Sequence, residues 1–539
     1  MNSIQTLGQE HQSLLEAPYL GLDPFDPLAI DLVDFRDRIV NGYNCGTAEK
    51  ELDADLSVAT SWIPGGTGRL RDFSYIAPEL PEFIADKCVG CMECVTECPD
   101  TAILAKIIPE SELEHYHSML IGDKVAGLDH TQVIKTTKYY DVPKKKGIEG
   151  GYFMLAVDPA RCKGCGECVS ACGTHDALKM IPKDEALLAH SRTNFGVFDA
   201  LPATKPEYIQ EKVLADMMLS HDALLYTGGA GSCMGCGEAT AIRMMLAATG
   251  FIYGKKSVGI VASTGCNTVY GSTYPYNPYD VPWTNSLFEN SPAVALGMRA
   301  RWNQLGWNDK KIWVLGGDGA MLDIGFQALS RMLMSGMDIK VLVLDTQVYS
   351  NTGGQSSTAT FVSQDAKMAS NGKVHHGKSE RRKELAPIVM MHPDVFVAQT
   401  TAAHINHFYR SIIAANEFKG PAVINVYTPC QPEHGIADDM SLHQAKLAVD
   451  SRAFPLLTYD PRKGEAIAER ISLAGNPATR EDWLKSADGT IVDFVNFART
   501  EGRFAKQFDK EGNPTPELMK AQEDRLKNWH LLQELAGYR

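Results

Sequence analysis

Cysteine spacing constrains this chain more than any other feature in it. The run Cys88-x2-Cys91-x2-Cys94-x3-Cys98-Pro99 is followed by a second, Cys162-x2-Cys165-x2-Cys168-x3-Cys172. Two residues between successive thiolates let a tight loop wrap three corners of an iron–sulfur cube. The fourth Cys, one helical turn on, reaches a neighbouring cluster. The spacing predicts one [4Fe-4S] cluster on Cys88, Cys91, Cys94 and Cys172, and a second on Cys162, Cys165, Cys168 and Cys98. Zinc is the alternative, since tetrahedral sulfur sites also use CxxC pairs, but two complete four-Cys runs favour the clusters. Gly173 stands where the first run has Pro99, which weakens the turn argument and leaves the ligand argument intact. Two clusters in one small domain make a wire for electrons.

Composition narrows the setting. Lys plus Arg number 52 against 66 Asp plus Glu, a formal charge of −14, the wrong sign for a general nucleic-acid binder. Apolar runs such as Ile312–Leu315 and Ile339–Leu344 are strand-length, well short of the roughly 20 residues a membrane span needs. The N-terminal stretch lacks the basic and apolar segments of a secretory signal, so a cytoplasmic protein is expected, and in that compartment clustered cysteines read as metal ligands rather than disulfides.

Four segments follow from the pattern along the 539 residues. Residues 1–80 form an extension that docks on something else; 81–200 hold the Cys runs, whose similar apolar flanks indicate an internal duplication. Residues 201–440 switch to α/β. There, Val258–Ala262, Ile312–Leu315, Ile339–Leu344, Val395–Ala398 and Ala422–Val426 are β-branched-rich, with helix-like stretches such as Gly325–Ser335 between them. That alternation predicts a parallel sheet covered on both faces. Residues 441–539 are polar and end in an amphipathic helix near Pro516–Leu535, expected to pack on the core, a partner or a second protomer.

A second constellation lies in the α/β part. Gly316-Gly317-Asp318-Gly319 follows the strand Lys311–Leu315, where glycines let backbone N–H groups approach a phosphate and the Asp can hold a divalent metal. Alone this is an ordinary βα turn. The next strand, however, ends in Asp345-Thr346-Gln347-Val348-Tyr349-Ser350-Asn351, and adjacent parallel strands bring their C-terminal ends into one crevice. The pair is the thiamin diphosphate pattern. A third set, Cys233, Cys236, Cys266 and Cys430, has two members just beyond strand ends on that same edge. These four either hold a third cluster or include buried small hydrophobes, as free Cys often are. Cys45 is left over and is read as structural. His375-His376 reads as a solvated loop, and Met332-Leu333-Met334 as helix core.

Taken in order, SCMGCGEA, STGCNTVYGS, WTNSLFEN, GGDGAMLDIGFQAL and DTQVYSNTGGQSS after a two-cluster ferredoxin domain resemble the C-terminal half of the pyruvate:ferredoxin oxidoreductases (pyruvate synthases). The motifs cover roughly residues 80–500. The resemblance implies a thiamin diphosphate-binding domain joined to a bacterial ferredoxin-like α+β domain. It also implies magnesium on Asp318, Thr346 and the Val348 carbonyl, Asn351 beside substrate and thiazolium, and Glu238 lining the pocket. Gly317, Gly319, Cys236, Gly237 and Cys266 would lie against the cofactor, and Cys233, Cys236, Cys266 and Cys430 would carry a proximal cluster, for three [4Fe-4S] clusters in all. An insertion some members carry before GDG is reduced here to a stretch around Arg301–Lys310.

The family's pyrimidine-binding and substrate-binding domains have no room in residues 1–80, so the resemblance implies a separate alpha-type subunit. It further implies coenzyme A-dependent oxidative decarboxylation of a 2-oxoacid, or the reverse, with ferredoxin or flavodoxin taking the electrons. Pyruvate is favoured over 2-oxoglutarate by YSNTGGQ. An iron–sulfur conduit without thiamin would have no use for Asp318, Thr346 and Asn351 together, and a carboligase similar to acetolactate synthase would not need twelve arranged thiolates. The basic patch Lys144–Lys146 is the candidate docking point for an acidic electron carrier.

Overall fold

In the computed structural model, residues 35–52, 63–115, 133–228, 231–271, 273–370 and 376–539 are described. Each Cys run sits inside a strand–loop–helix–strand unit. The first is β1 (Glu79–Phe83), α1 (Glu93–Glu97) and β2 (Ile103–Pro109); an edge strand β3 (Val133–Lys135) follows, then the second unit, β4 (Gly151–Val157), α2 (Glu167–Cys172) and β5 (Leu178–Pro182). The units pair antiparallel, β1 with β5 and β2 with β4, and α1 packs on α2. Equivalent loop positions take the same unusual backbone: Gly90 and Gly164 have φ +70° and +79°, Met92 and Gly166 +73° and +82°. Left-handed residues at these positions curl the loop around a small cavity. Gly173, in place of a proline, also turns the chain with a positive φ of 53°.

The second part is built on an eight-stranded sheet. After α3 (Glu185–Ala200) and α4 (Gly237–Tyr253), its strands and helices run β6 (Val258–Ser263), α5 (Cys266–Gly271), β7 (Trp283–Ser286), α6 (Ser291–Gln304), β8 (Lys311–Gly317), α7 (Phe326–Leu333), β9 (Lys340–Asp345), α8 (Leu385–Met390), β10 (Phe396–Thr401), α9 (Ile405–Glu417), β11 (Ala422–Tyr427), β12 (Leu457–Tyr459) and β13 (Ile471–Ser472). The strand order is β13-β12-β10-β11-β9-β8-β6-β7. All neighbours from β10 to β7 are parallel, and β12 and β13 add an antiparallel edge.

The central strands are buried throughout, and alternate residues feed two cores. Ile260, Trp313, Leu342 and Ile424 meet α4 and α9 on one face, while Val261, Val314, Val341 and Val423 meet α6, α7 and α8 on the other. Burial on both faces is why these strands read as continuous apolar runs. The first core does not stop at the sheet: it continues through α4 into Val95, Ile103 and Phe153 of the Cys-rich part.

Expectations for the N-terminal extension, Cys45 and Met334 are corrected here. The described residues of the N-terminal extension dock on this same chain, with Thr67 donating to the Pro275 carbonyl at 3.0 Å and Gly68 N–H to Asn277 at 2.9 Å. Cys45 is exposed rather than structural. Met332 and Leu333 are core, but Met334 faces outward. Lys144 of the basic patch is paired with Glu110 at 2.7 Å. His375 lies outside the described residues. The C-terminal helix α10 (Pro516–Leu535), capped by Thr515, buries Leu518, Trp529 and Leu532 on its own chain. Among the described residues no helix is long and apolar enough to cross a membrane.

Candidate active site and cluster-binding loops

The connection leaving β6 runs to β7 on one side, and the one leaving its neighbour β8 runs to β9 on the other, so the two diverge from adjacent C-terminal ends. Open parallel sheets bind ligands at such a reversal. A cleft of about 250 Å³ opens there, lined by Thr264, Cys266 and Asn267 beyond β6, Gly317 to Ala320 beyond β8, and Thr346 and Val348 to Thr352 beyond β9, with Glu238 at the start of α4. Pairing of Gly317 with Leu344, and of Asp345 with Tyr427, sets these loops side by side.

Three oxygens converge within it. The Thr346 hydroxyl lies 3.2 Å from an Asp318 carboxylate oxygen and 3.1 Å from the Val348 carbonyl. Magnesium at roughly 2.1 Å from each ligand puts neighbouring octahedral corners about 3 Å apart, so each of these two separations matches an edge of that polyhedron. Asp318 is buried, and burial together with nearby Asp345 pushes its carboxyl well above the usual range. Its other oxygen accepts from Ser357 at 2.5 Å, a residue sequence reasoning missed. Behind it, Asp345 is ion-paired with Arg382, both fully buried. Gly319 has no room for a Cβ, which would strike the Tyr349 ring. The turn after Asp318 is a wide π-type turn, Gly319–Ile324, ahead of α7.

Of the residues lining the cleft, Asn351 is exposed and Glu238 is buried. Tyr270 donates to Glu238 at 3.0 Å, and burial raises the Glu238 carboxyl to about 7. Cys266 starts α5 and shares the cleft with Asp318. The Cys233–Cys236 loop is tied to the Cys430 loop: Gln431 donates to the Gly235 carbonyl at 2.6 Å, and Gly237 N–H to that of Pro429 at 3.2 Å. A Cβ on Gly237 would meet Pro429 at 2.7 Å. Burial raises the Cys266 thiol, and the neighbouring Glu238 and then Cys236, Cys430 and Cys233 raise it further, so the four thiols share one neighbourhood. His434 was also missed. Its Nε2 donates to the Thr346 carbonyl at 2.8 Å and its Nδ1 accepts from Cys430 N–H at 3.4 Å.

The remaining thiols form two further sets. Cys88, Cys91, Cys94 and Cys172 line one small cavity; Cys98, Cys162, Cys165 and Cys168 line another. Burial raises the Cys88 thiol to about 11 and Cys162 to about 12. Buried thiols held this way exchange their protons for a metal that takes thiolate. Main-chain amides of Ala102 and Ala177 donate to Cys98 and Cys172 sulfur, each at 3.2 Å, the kind of contact that sets a cluster's potential. Both cavities fit an iron–sulfur group.

Comparison with known proteins agrees with this layout. The thiamine pyrophosphate enzyme C-terminal TPP binding domain matches residues 263–426, and 4Fe-4S binding domains match 80–103 and 155–175. The chain is 27% identical to a probable pyruvate-flavodoxin oxidoreductase of Escherichia coli (strain K12), over 99% of this chain and 48% of that protein. That alignment extends beyond the 80–500 covered by the motifs. It is 28% identical to the pyruvate:ferredoxin oxidoreductase of Moorella thermoacetica, over 76% of this chain and 39% of that one. The chain thus spans about half, or less, of the length of these relatives. A solved 2-oxoglutarate:ferredoxin oxidoreductase from Magnetococcus marinus, with 2-oxoglutarate, coenzyme A and succinyl-CoA bound, superposes with a TM-score of 0.34 at 21% identity, covering 41% of this chain and 71% of that one. Residues 263–426 are thus a thiamine pyrophosphate enzyme C-terminal domain, joined to two 4Fe-4S motifs in a homologue of the pyruvate-flavodoxin and pyruvate:ferredoxin oxidoreductases.

Proposed function

We propose that this chain is the thiamin-binding and electron-carrying subunit of a coenzyme A-dependent 2-oxoacid oxidoreductase, acting on pyruvate and passing electrons to ferredoxin or flavodoxin. The observation that carries this reading is the shared cleft: the Asp318–Thr346–Val348 oxygens and the Cys266 thiol line one cavity at the C-terminal edge of the sheet. Magnesium on those oxygens would hold a diphosphate between the β8 and β9 loops. Bound there, thiamin diphosphate supplies the electron sink that cleavage beside a keto group requires. Exposed Asn351 meets the incoming 2-oxoacid, buried Glu238, held by Tyr270, lines the cleft, and Cys233, Cys236, Cys266 and Cys430 hold a third cluster as the first electron exit. Pyruvate follows from YSNTGGQ and from the names of the relatives.

An alpha-type partner supplies the pyrimidine-binding and substrate-binding domains. Support comes from the rim of the cleft, where Phe288, Ile324 and Tyr349 line the opening and Leu287 and Ile324 are 60% and 62% exposed. Contiguous apolar surface of this kind marks a contact site. The test is to purify the chain with its co-purifying subunit, count thiamin and iron, and assay coenzyme A-dependent reduction of ferredoxin or flavodoxin. Pyruvate is expected to outcompete 2-oxoglutarate. A preparation without thiamin overturns the enzyme reading in favour of a conduit, and preference for 2-oxoglutarate overturns the substrate.

A further inference from the structure

Two dipeptides that each carry a cysteine of a different set, Cys162-Lys163 and Ser232-Cys233, are joined by one side chain. Lys163 Nζ donates to the Ser232 carbonyl at 2.9 Å and to its hydroxyl at 2.6 Å. The same ammonium is ion-paired with Asp100 at 2.9 Å, with both side chains about 5% exposed or less. It also faces the Phe73 ring at 5.2 Å. Ser232 closes the triangle by donating to Asp100 at 3.3 Å. Further anchors hold the same segment: Gly228 N–H donates to the Asp100 carbonyl at 3.0 Å, and Thr101 donates to the Tyr226 carbonyl at 2.6 Å. Asp100 and Lys163 also line the cavity ringed by Cys98, Cys162, Cys165 and Cys168. A buried charge pair therefore sits where the inner ferredoxin cavity meets the loop of the proximal set.

We propose that Lys163 is a positioning and charge-compensating residue of the electron path, fixing the Cys233 loop against the inner ferredoxin cluster and stabilising the reduced state of both clusters. The proposal rests on the reading that Cys233, Cys236, Cys266 and Cys430 carry a cluster. In the step concerned one electron leaves the proximal cluster and arrives on the inner one; no bond forms or breaks, and the lysine keeps its proton. Each arriving electron adds a negative charge to a site poorly screened by water, where a nearby fixed cation acts strongly. Asp100 holds the ammonium in place and offsets part of its field. Hence the two members of the pair act on the potentials with opposite sign.

Potentiometric titration of the intact, cluster-loaded complex, followed by electron paramagnetic resonance, tests this. Lys163→Met is expected to shift the proximal and inner clusters to more negative potentials and Asp100→Asn to shift them more positive. Lys163→Arg should stay near the parent, and the cluster on Cys88, Cys91, Cys94 and Cys172 should be unmoved in all three. Shifts of the same sign in the Met and Asn variants, or none, overturn the coupling and leave only a packing role. Should Lys163→Met lose its clusters, the upward shift in Asp100→Asn still decides the matter. Only two clusters in the unmodified complex would remove the underlying reading and the proposal with it, an outcome distinct from three clusters that ignore the substitutions.

Discussion

His434 donates from Nε2 to the Thr346 carbonyl over 2.8 Å while its Nδ1 accepts from Cys430 N–H, so one imidazole ties the loop after β9 to Cys430. Those partners require the neutral ring with its proton on Nε2. Burial first, and then Arg503, push its pKa well below the usual value. Replacing His434 with Leu leaves the Thr346 carbonyl without its buried donor, at a cost of about 1–3 kcal/mol. Weaker thiamin diphosphate binding by calorimetry is expected, and Gln, which restores the amide donor, should recover much of it. Unchanged binding in the Leu variant would show that the loop holds its shape alone.

Asp318→Asn keeps the shape of the side chain and removes the charge a divalent ion needs. Magnesium-dependent uptake of thiamin diphosphate should be lost, whereas the iron content and the circular dichroism spectrum should match the parent. Retained cofactor at ordinary magnesium concentration would place the metal elsewhere.

The cavity lining separates the eight ferredoxin cysteines into mixed sets, three from one run and one from the other. Cys172→Ala should therefore damage the cluster on Cys88, Cys91 and Cys94 and spare the one built by its own run. Iron analysis with electron paramagnetic resonance of the remaining signals checks this, and loss confined to the Cys162 cluster would refute the pairing.

Arg382→Met strands Asp345, which is fully buried beside Asn425 and the Asp318 site. Removing one partner of a buried ion pair typically costs 3–5 kcal/mol, and denaturant unfolding should show a loss of about that size. A loss below about 1 kcal/mol would be the value of an exposed pair, and would mean that water reaches the site.

Much of this was legible because it is local. The Cys runs, the turn at Asp318 and the loop after β9 are each continuous in sequence, and β6, β8, β9, β10 and β11 are buried on both faces, so their apolar runs stand out. Strand β7, Trp283–Ser286, did not, because an edge strand carrying Thr and Asn keeps half its surface wet. Short β12 and β13 add only a few residues to the opposite edge. Ser357, Arg382, His434 and Lys163 escaped for a different reason. Each acts on a site through a contact made far from it along the chain, and residue type alone carries no trace of that. Met334 misled because it stands just past the end of α7, as its C-cap, and is exposed there.

The hydrophobic core that runs unbroken from β2 and β4 through α4 to the sheet has a practical meaning for the redox chemistry. Clusters hung on a tether would sample a spread of separations, and transfer would wait for a close approach. Here the spacing between the cleft and each ring of thiols is set by solid packing. It also means that the iron-carrying portion cannot be grafted onto another catalyst as a module without rebuilding the interior of both.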